Sequence, residues 1–240
     1  VGMWVLVGLM TVIFSLAIMV CALCLFVVDP KRKAAHWLAS LWGRSIFLCN
    51  PSWRLTIKGR EHIDPRKPYI LVSNHQSMLD IMVLFCLRRQ FKWVAKESLF
   101  KVPFLGWAMS LVSYIKLTRG RYGSVRKSYD AAKRWLASGI SVLFFPEGTR
   151  SHSGQLGLFK DGAFRLAMET KIPVVPIVVT GTRDLLERGS WVFRRRATVR
   201  VVILPAIDPT QYRQDGPNRL KDAVHDQISQ TLQELAAVSA

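Results

Sequence analysis

Acidic side chains are scarce in this 240-residue sequence. Asp and Glu number 16 against 34 Lys and Arg, which gives a formal net charge of +18. Such an excess suits anionic lipid headgroups, phosphorylated substrates, an acidic carrier protein or nucleic acid. Nucleic acid is the least favoured of these, because no nucleic-acid-binding signature accompanies the charge.

Cysteines are also few, and their positions argue against a disulfide framework. Cys21 and Cys24 form a CxxC pattern, but both lie inside an apolar run, where thiols pack as small hydrophobic groups. Cys49 and Cys86 are isolated in apolar surroundings. The cysteine positions therefore argue against a protein stabilised by disulfides and against a zinc-binding protein. The sequence has no internal repeats, which excludes a repeat architecture.

Charge is absent from the first 28 residues. This run exceeds the roughly 20 residues that a helix needs to cross a bilayer, so it predicts a membrane helix. The basic stretch DPKRK follows at residues 29–33 and favours the cytoplasmic side for the rest of the chain. A cleaved signal peptide is disfavoured because the basic residues follow the apolar run. A segment lying in one leaflet remains open beside a spanning one.

A second apolar segment covers residues 34–49 and contains a single charged residue, Arg44. Its wide apolar face is typical of a helix at the membrane surface, and equally of an ordinary packing helix. The sequence therefore predicts an anchor over residues 1–50, made of helix 1–28, a basic turn and helix 34–49. The globular domain is predicted over residues 51–240.

The globular part alternates between short apolar runs and segments with helical periodicity. This alternation predicts an α/β fold, a single domain with a mostly parallel or mixed sheet flanked by helices. We expect strands near residues 53–59, 68–74, 91–95, 114–117, 140–146, 172–181 and 197–205, and helices over 80–89, 124–138, 163–170 and 217–240.

The stretch NHQSMLD follows the second predicted strand and contains His75 and Asp80. Five residues of ideal helix rotate about 140 degrees, so these side chains cannot share a helical face. They meet only if His75 lies in the loop, while Ser77 caps the helix and places Asp80 at its third position. Such a pair would act as a general base. The alternative is a packing histidine beside an aspartate that complements the helix dipole.

The stretch FFPEGTRS follows another buried strand and holds Glu147, Gly148, Thr149 and Arg150. Loops at strand ends are where α/β sheets usually place ligand-binding groups. A guanidinium suits phosphate, a carboxylate can accept from a polyol, and glycine allows close backbone approach. A third stretch, SYIKLTRGR, adds Arg119 at a strand end and would complete an anion site opposite Arg150.

These motifs resemble, in order, those of the 1-acyl-sn-glycerol-3-phosphate acyltransferases of phospholipid synthesis. NHQSMLD matches the N-H-x4-D motif, FPEGTRS matches the third motif residue for residue, and IPVVPIVVTG is similar to the fourth, a proline-bearing strand that helps line the acyl site. The second motif, G-x-x-F-I-x-R, is matched less well: SYIKLTR keeps Arg119 but has Ser113 and Lys116 at the glycine and phenylalanine positions.

The resemblance implies transfer of a fatty acyl group from a thioester to the sn-2 hydroxyl of lysophosphatidic acid, which gives phosphatidic acid. The donor would be acyl-CoA or acyl carrier protein, and no metal or organic cofactor is implied. His75 would be the general base and Asp80 its orienting partner. The implied substrate-binding residues are Arg119 and Arg150 for the phosphate, Glu147 for the glycerol, and Gly148 and Thr149 in the same loop.

The resemblance also implies a place at the bilayer, with the catalytic domain on the cytoplasmic face of the cell's inner membrane. A site at the membrane surface spares the lipid acyl chain a passage through water, which costs about 0.8 kcal/mol per methylene. Residues 99–112 are expected either to line the acyl pocket or to pack in the core. Two alternatives remain: an acyltransferase for another lysolipid, and a catalytically silent lipid-binding relative.

Overall fold

The computed structural model describes residues 2–151, 154–186 and 190–237. It begins with two helices, α1 (Gly2–Cys24) and α2 (Lys33–Leu48). Among the described residues, α1 is the one helix long and apolar enough to cross a membrane by length and composition. It ends four residues earlier than the sequence predicts, because residues 25–28 form turns. Val1 and residues 238–240 lie outside the described residues.

The two helices pack against each other and against the rest of the protein. The Trp42 indole N–H donates to Thr11 Oγ1 at 3.2 Å, which ties α2 to α1. On its other side α2 approaches the core closely at Gly43, where a Cβ would lie 2.8 Å from the ring of Phe85. The packing alternative for α2 is therefore correct for this face, while Trp37 on the opposite side is 61% exposed.

Within the part of the chain that the structure describes, the domain is built on seven strands, which lie close to the positions that the sequence predicts. They are β1 (Trp53–Lys58), β2 (Ile70–Ser73), β3 (Phe91–Lys96), β4 (Ile115–Leu117), β5 (Ser141–Phe144), β6 (Val174–Thr180) and β7 (Ala197–Ile203). They form one sheet in the order β1-β7-β6-β2-β5-β3-β4. β6 and β7 are antiparallel, whereas all other neighbours are parallel. The prediction of a mixed α/β sheet is confirmed.

Helices cover both faces of the sheet. After α2 they are α3 (Asp80–Phe85), α4 (Leu105–Leu111), α5 (Tyr122–Ala137), α6 (Gly162–Thr170), α7 (Thr182–Leu185) and α8 (Gly216–Ala237). The central strand β2 divides two hydrophobic clusters, since Leu71 belongs to the cluster under α1 to α4, and Ile70 and Val72 to the one under α5, α6 and α8. This burial on both faces explains why β2 is apolar at nearly every position.

Helix α3 is shorter than the predicted helix over residues 80–89. Arg60 donates from Nη1 to the Leu87 carbonyl and from Nη2 to the Cys86 carbonyl, both at 2.9 Å. These bonds satisfy carbonyls that would otherwise continue the helix. Arg88 then adopts a left-handed φ of 57°, which ends the helical geometry.

Candidate active site

His75 and Asp80 meet at the carboxyl end of β2. His75 lies in the loop after the strand, and its Nδ1 is 2.7 Å from Asp80 Oδ2. Asp80 opens α3, so it is on the first turn of the helix but not at its third position. The prediction that Ser77 caps the helix was wrong, because the helix begins at Asp80 itself.

The Asp80 carboxylate binds the backbone of the loop that precedes α3. Its Oδ2 also accepts from the backbone N–H of Gln76 at 2.7 Å and of Ser77 at 2.9 Å. Its Oδ1 accepts from Thr182 Oγ1 at 2.5 Å. Asp80 is fully buried, so these donors replace the water that a free carboxylate would hold. The residue is thereby held in one rotamer against His75.

The imidazole of His75 is oriented from two sides. Its ring stacks on Phe145, with centroids 4.2 Å apart and planes inclined by 23°. The Asp80 carboxylate can only accept at Nδ1, so Nδ1 carries the hydrogen and Nε2 presents a lone pair. The side chain is 20% exposed. A partly accessible, basic Nε2 is what a general base requires.

Glu147 holds the loop that carries His75. Its Oε1 accepts from the backbone N–H of His75 at 2.7 Å, and its Oε2 accepts from the backbone N–H of Gly157 at 2.9 Å. Burial raises the pKa of Glu147 above its ordinary value, and the N–H groups of Gly157 and His75 oppose that shift. Both oxygens of the Glu147 carboxylate thus accept hydrogen bonds from the protein backbone.

A cavity of about 510 Å³ opens beside His75. Most of its lining is apolar. Many of these side chains come from the first four helices, including Phe14 and Ile18 of α1, Trp42 of α2, Met82 of α3, and Leu105, Ala108 and Met109 of α4. Segment 99–112 therefore lines this cavity and also packs in the core, while its contact with an acyl chain stays a prediction. A space of this size and polarity suits a hydrocarbon chain.

Polar groups line the same cavity near His75. Arg119, Thr149 and Arg150 all contribute to its wall. Arg119 follows the edge strand β4, and its turn is fixed by Thr118, whose hydroxyl donates to Glu97 at 2.7 Å. The structure thus places Arg119 and Arg150, which the sequence assigns to one anion site, in the wall of the same cavity.

Two predicted substrate-binding residues are not in that wall. Among the described residues that line the cavity, neither Glu147 nor Gly148 is present, and none belongs to β6. Gly148 instead has φ 72°, a turn conformation that glycine adopts without strain. Glu147, Gly148 and the proline-bearing strand therefore lie outside this wall, and their expected contact with the substrate stays a prediction.

Several site residues were missed from the sequence. Thr182 comes directly after the fourth motif, and that position was the only available signal for it. Asn74 joins the His75 loop to β6, because its side-chain amide donates to and accepts from the backbone of Val179 at 2.9 and 2.8 Å. Phe14 and Ile18 carried no signal for the cavity, since every face of α1 is apolar.

Comparison with known proteins gives consistent matches. A family model described as Acyltransferase matches residues 54–180. A chloroplast 1-acyl-sn-glycerol-3-phosphate acyltransferase of Arabidopsis thaliana is 42% identical over 73% of this chain and 49% of its own length. The Saccharomyces cerevisiae 1-acyl-sn-glycerol-3-phosphate acyltransferase is 34% identical over 85% of this chain and 68% of its own length. The chain thus spans about half the length of the chloroplast relative.

A solved structure agrees over nearly the whole chain. The crystal structure of the 1-acyl-sn-glycerophosphate acyltransferase PlsC from Thermotoga maritima superposes with a TM-score of 0.84 and 25% identity, covering 98% of this chain and 93% of the other. The family match extends over more than half of the sequence, and it includes the loops of His75, Arg119 and Arg150. The chain therefore belongs to the family of 1-acyl-sn-glycerol-3-phosphate acyltransferases, which are O-acyltransferases.

Proposed function

We propose that this protein transfers a fatty acyl group from acyl-CoA or acyl carrier protein to the sn-2 hydroxyl of 1-acyl-glycerol-3-phosphate, forming phosphatidic acid. The observation that carries the proposal is a single cavity whose wall contains an Asp80-bound histidine, two arginines and a long apolar surface. These are the groups that a base, a phosphate and an acyl chain require. The names of the relatives in the comparisons agree with this substrate.

In the proposed reaction His75 Nε2 accepts the proton of the sn-2 hydroxyl as its oxygen attacks the thioester carbonyl. The new C–O bond forms, the C–S bond breaks, and the imidazolium returns the proton to the departing thiolate. Asp80 keeps the proton on Nδ1 and stabilises the imidazolium. A thioester is already activated, so a positioned base is sufficient and no protein nucleophile is invoked.

The remaining site residues position the acceptor. Arg119 and Arg150 bind its phosphate, because guanidinium groups make strong charge-assisted hydrogen bonds to phosphate oxygens. Thr149 lies in the same wall and offers a hydroxyl to the glycerol headgroup. Glu147 acts through the backbone of His75, whose N–H it binds, so it is a positioning residue.

We propose that the protein sits on the cytoplasmic face of the inner membrane, with α1 lying in one leaflet. At the start of α1 the Trp4 indole donates to the Trp191 carbonyl at 2.5 Å. Just beyond its end, the Lys31 carbonyl accepts from Gln90 at 2.8 Å and from Lys92 at 3.2 Å. A spanning helix would carry one end about 30 Å away from the domain, whereas the start of this helix and the connection that follows it are both bound to the domain.

The proposed reaction is tested with membranes containing the protein, lysophosphatidic acid and a long-chain acyl thioester. We expect phosphatidic acid to form, and we expect His75→Ala to abolish turnover while leaving the protein folded. Undiminished activity in that variant would contradict the assignment of His75 as the general base.

A panel of acceptors and donors tests the substrates separately. Lysophosphatidic acid is compared with other lysolipids, and acyl-CoA with acyl carrier protein. Faster turnover of a lysolipid that lacks the phosphomonoester would overturn the proposed acceptor, and no acylation of any lysolipid would favour a silent lipid-binding protein.

A further inference from the structure

Two adjoining clefts lie along α2, separate from the cavity that contains His75. Their volumes are about 520 and 560 Å³, and Arg44 of α2 and Arg88 of the turn after α3 line both of them. None of the described residues that line either cleft lines the catalytic cavity. We call this pair the arginine clefts. They form a surface feature that the proposed reaction does not use.

None of the described residues that line the arginine clefts is an Asp or a Glu. Lys33 and Arg89 line one cleft and Arg60 the other, and the sequence has no Asp or Glu in residues 30–60 or 81–96. Within the described ranges, neither Arg44 nor Arg88 forms an ion pair. The pKa of Arg60 is lowered, first by burial and next by the charge of Arg88, with Arg89 and Arg44 adding to it. The cations therefore repel one another, and an anion would relieve that repulsion.

The backbone segments that carry Arg44 and Arg88, the two arginines that line both clefts, are rigid. Arg44 projects from the middle of α2. Arg88 belongs to the turn whose carbonyls, those of Cys86 and Leu87, are held by Arg60 at 2.9 Å. The left-handed backbone of Arg88 is sparsely populated by non-glycine residues, so the surroundings must hold it in place. A pair of guanidinium groups on fixed supports is preorganised for a shared anion.

An exposed apolar rim adjoins the arginines. Lys33, Trp37, Leu41, Arg44 and Leu48 recur at helical spacing on one side of α2, and each lines one or both of the clefts. Trp37 is 61% exposed and Leu48 is 70% exposed. Tryptophan and arginine side by side on a helix surface are typical of the membrane interface, where an indole meets the headgroup region.

We propose that Arg44 and Arg88 bind the phosphodiester of an anionic glycerophospholipid of the bilayer, whose acyl chains lie against Trp37 and Leu48. The lipid is neither substrate nor product, because the clefts share no lining residue with the cavity of His75. The same separation disfavours an acidic carrier protein as the occupant, since a thioester delivered there would not reach the base. Binding at this site would fix the depth of α2 in the leaflet.

The test is a titration of the full chain in neutral detergent micelles with short-chain phosphatidylglycerol, followed by native mass spectrometry. Phosphatidylcholine of the same chain length serves as the neutral comparison. We expect phosphatidylglycerol to bind at least tenfold more tightly than phosphatidylcholine. We expect the double variant Arg44→Gln/Arg88→Gln to lose that preference while retaining turnover of lysophosphatidic acid, which reports that it is folded.

A matched control removes two exposed arginines on the opposite face of the sheet, Arg213→Gln/Arg219→Gln, and so has the same net charge. It should bind phosphatidylglycerol as the wild type does. Equal losses in the two double variants would show diffuse attraction and overturn the site, as would an unchanged affinity in the cleft variant. Displacement of the lipid by millimolar inorganic phosphate would also overturn it, because a free anion would then be the ligand.

Discussion

Within the described part of the chain, the Asp80 carboxylate accepts four hydrogen bonds. Two come from backbone N–H groups and two from side chains. His75 binds one carboxylate oxygen and Thr182 the other. A buried carboxylate that loses a donor is free to rotate or to draw in water, and either change moves the proton acceptor away from the hydroxyl. Thr182 is therefore a positioning residue of the proposed base, although it has no contact with the cavity.

Replacing Thr182 with valine keeps the side-chain shape and removes the donor. A hydrogen bond to a charged group contributes about 1.5–3 kcal/mol, so we expect kcat to fall by about tenfold or more. KM for lysophosphatidic acid should stay near the wild-type value, since Thr182 does not line the cavity. Steady-state kinetics measure both constants.

The conservative change Thr182→Ser is the control for this prediction. It restores the hydroxyl and should recover most of the lost kcat. Equal kcat values in the valine variant and the wild type would show that Thr182 has only a structural role.

The His75 and Asp80 pair was predictable because only one arrangement satisfies its spacing. Five residues exclude a shared helical face, so a loop histidine and a first-turn aspartate were required. The role of Glu147 was not predictable in the same way, because a loop carboxylate can accept from a substrate hydroxyl or from a backbone N–H. Its actual partners, His75 and Gly157, lie 72 and 10 residues away, and only the fold brings them near.

At the level of elements, the N-terminal helices form a wall of the cavity beside His75. The absence of charge predicts α1 as a helix, but an all-apolar helix has no polar face from which its orientation could be read. The sequence therefore could not show that Phe14 and Ile18 face the site. Their position means that the segment expected to anchor the protein also shapes the pocket, together with α4.

Enlarging a small residue of α4 should shorten the acyl chain that fits. Ala108 is 4% exposed and lines the cavity, so Ala108→Leu fills the space of about three methylene groups. We expect the preferred chain length to fall by about two to four carbons, because each excluded methylene forfeits about 0.8 kcal/mol of burial. Competition among thioesters and lysolipids of different length measures the shift.

Ala137→Leu is the matched control, since Ala137 is an exposed residue of α5 and does not line the cavity. It should leave the chain-length profile in place. An unchanged profile in Ala108→Leu would show that the cavity does not hold the acyl chain.

At the scale of the whole molecule, His36 joins the N-terminal helices to the domain. Its Nε2 is 3.0 Å from the Arg89 carbonyl, which only accepts, so Nε2 carries the hydrogen. Nδ1 then accepts from the Tyr114 hydroxyl at 3.0 Å. Burial lowers the pKa of His36 to about 3, so the folded protein holds this imidazole in its neutral form at neutral pH. On protonation Nδ1 would become a donor, so the Tyr114 hydroxyl would have to turn and accept from it.

This buried imidazole makes the stability of the whole protein depend on pH. An unfolded histidine takes up a proton near pH 6.5, whereas folded His36 does so only near pH 3. The unfolded state therefore binds more protons below pH 6.5, and the free energy of unfolding falls as the pH drops through that window. At pH 5 the loss from this one residue is about 2 kcal/mol.

The prediction is checked by urea unfolding in one detergent at pH 7 and pH 5, for the wild type and for His36→Gln. Glutamine keeps a donor and an acceptor but does not titrate, so the variant should be less stable than the wild type at pH 7 and should lose about 2 kcal/mol less on acidification. The difference between the two proteins cancels the other titrating groups that they share. An identical pH dependence in both would mean that His36 is protonated in the folded protein, and that the link between α2 and the domain does not depend on its neutral form.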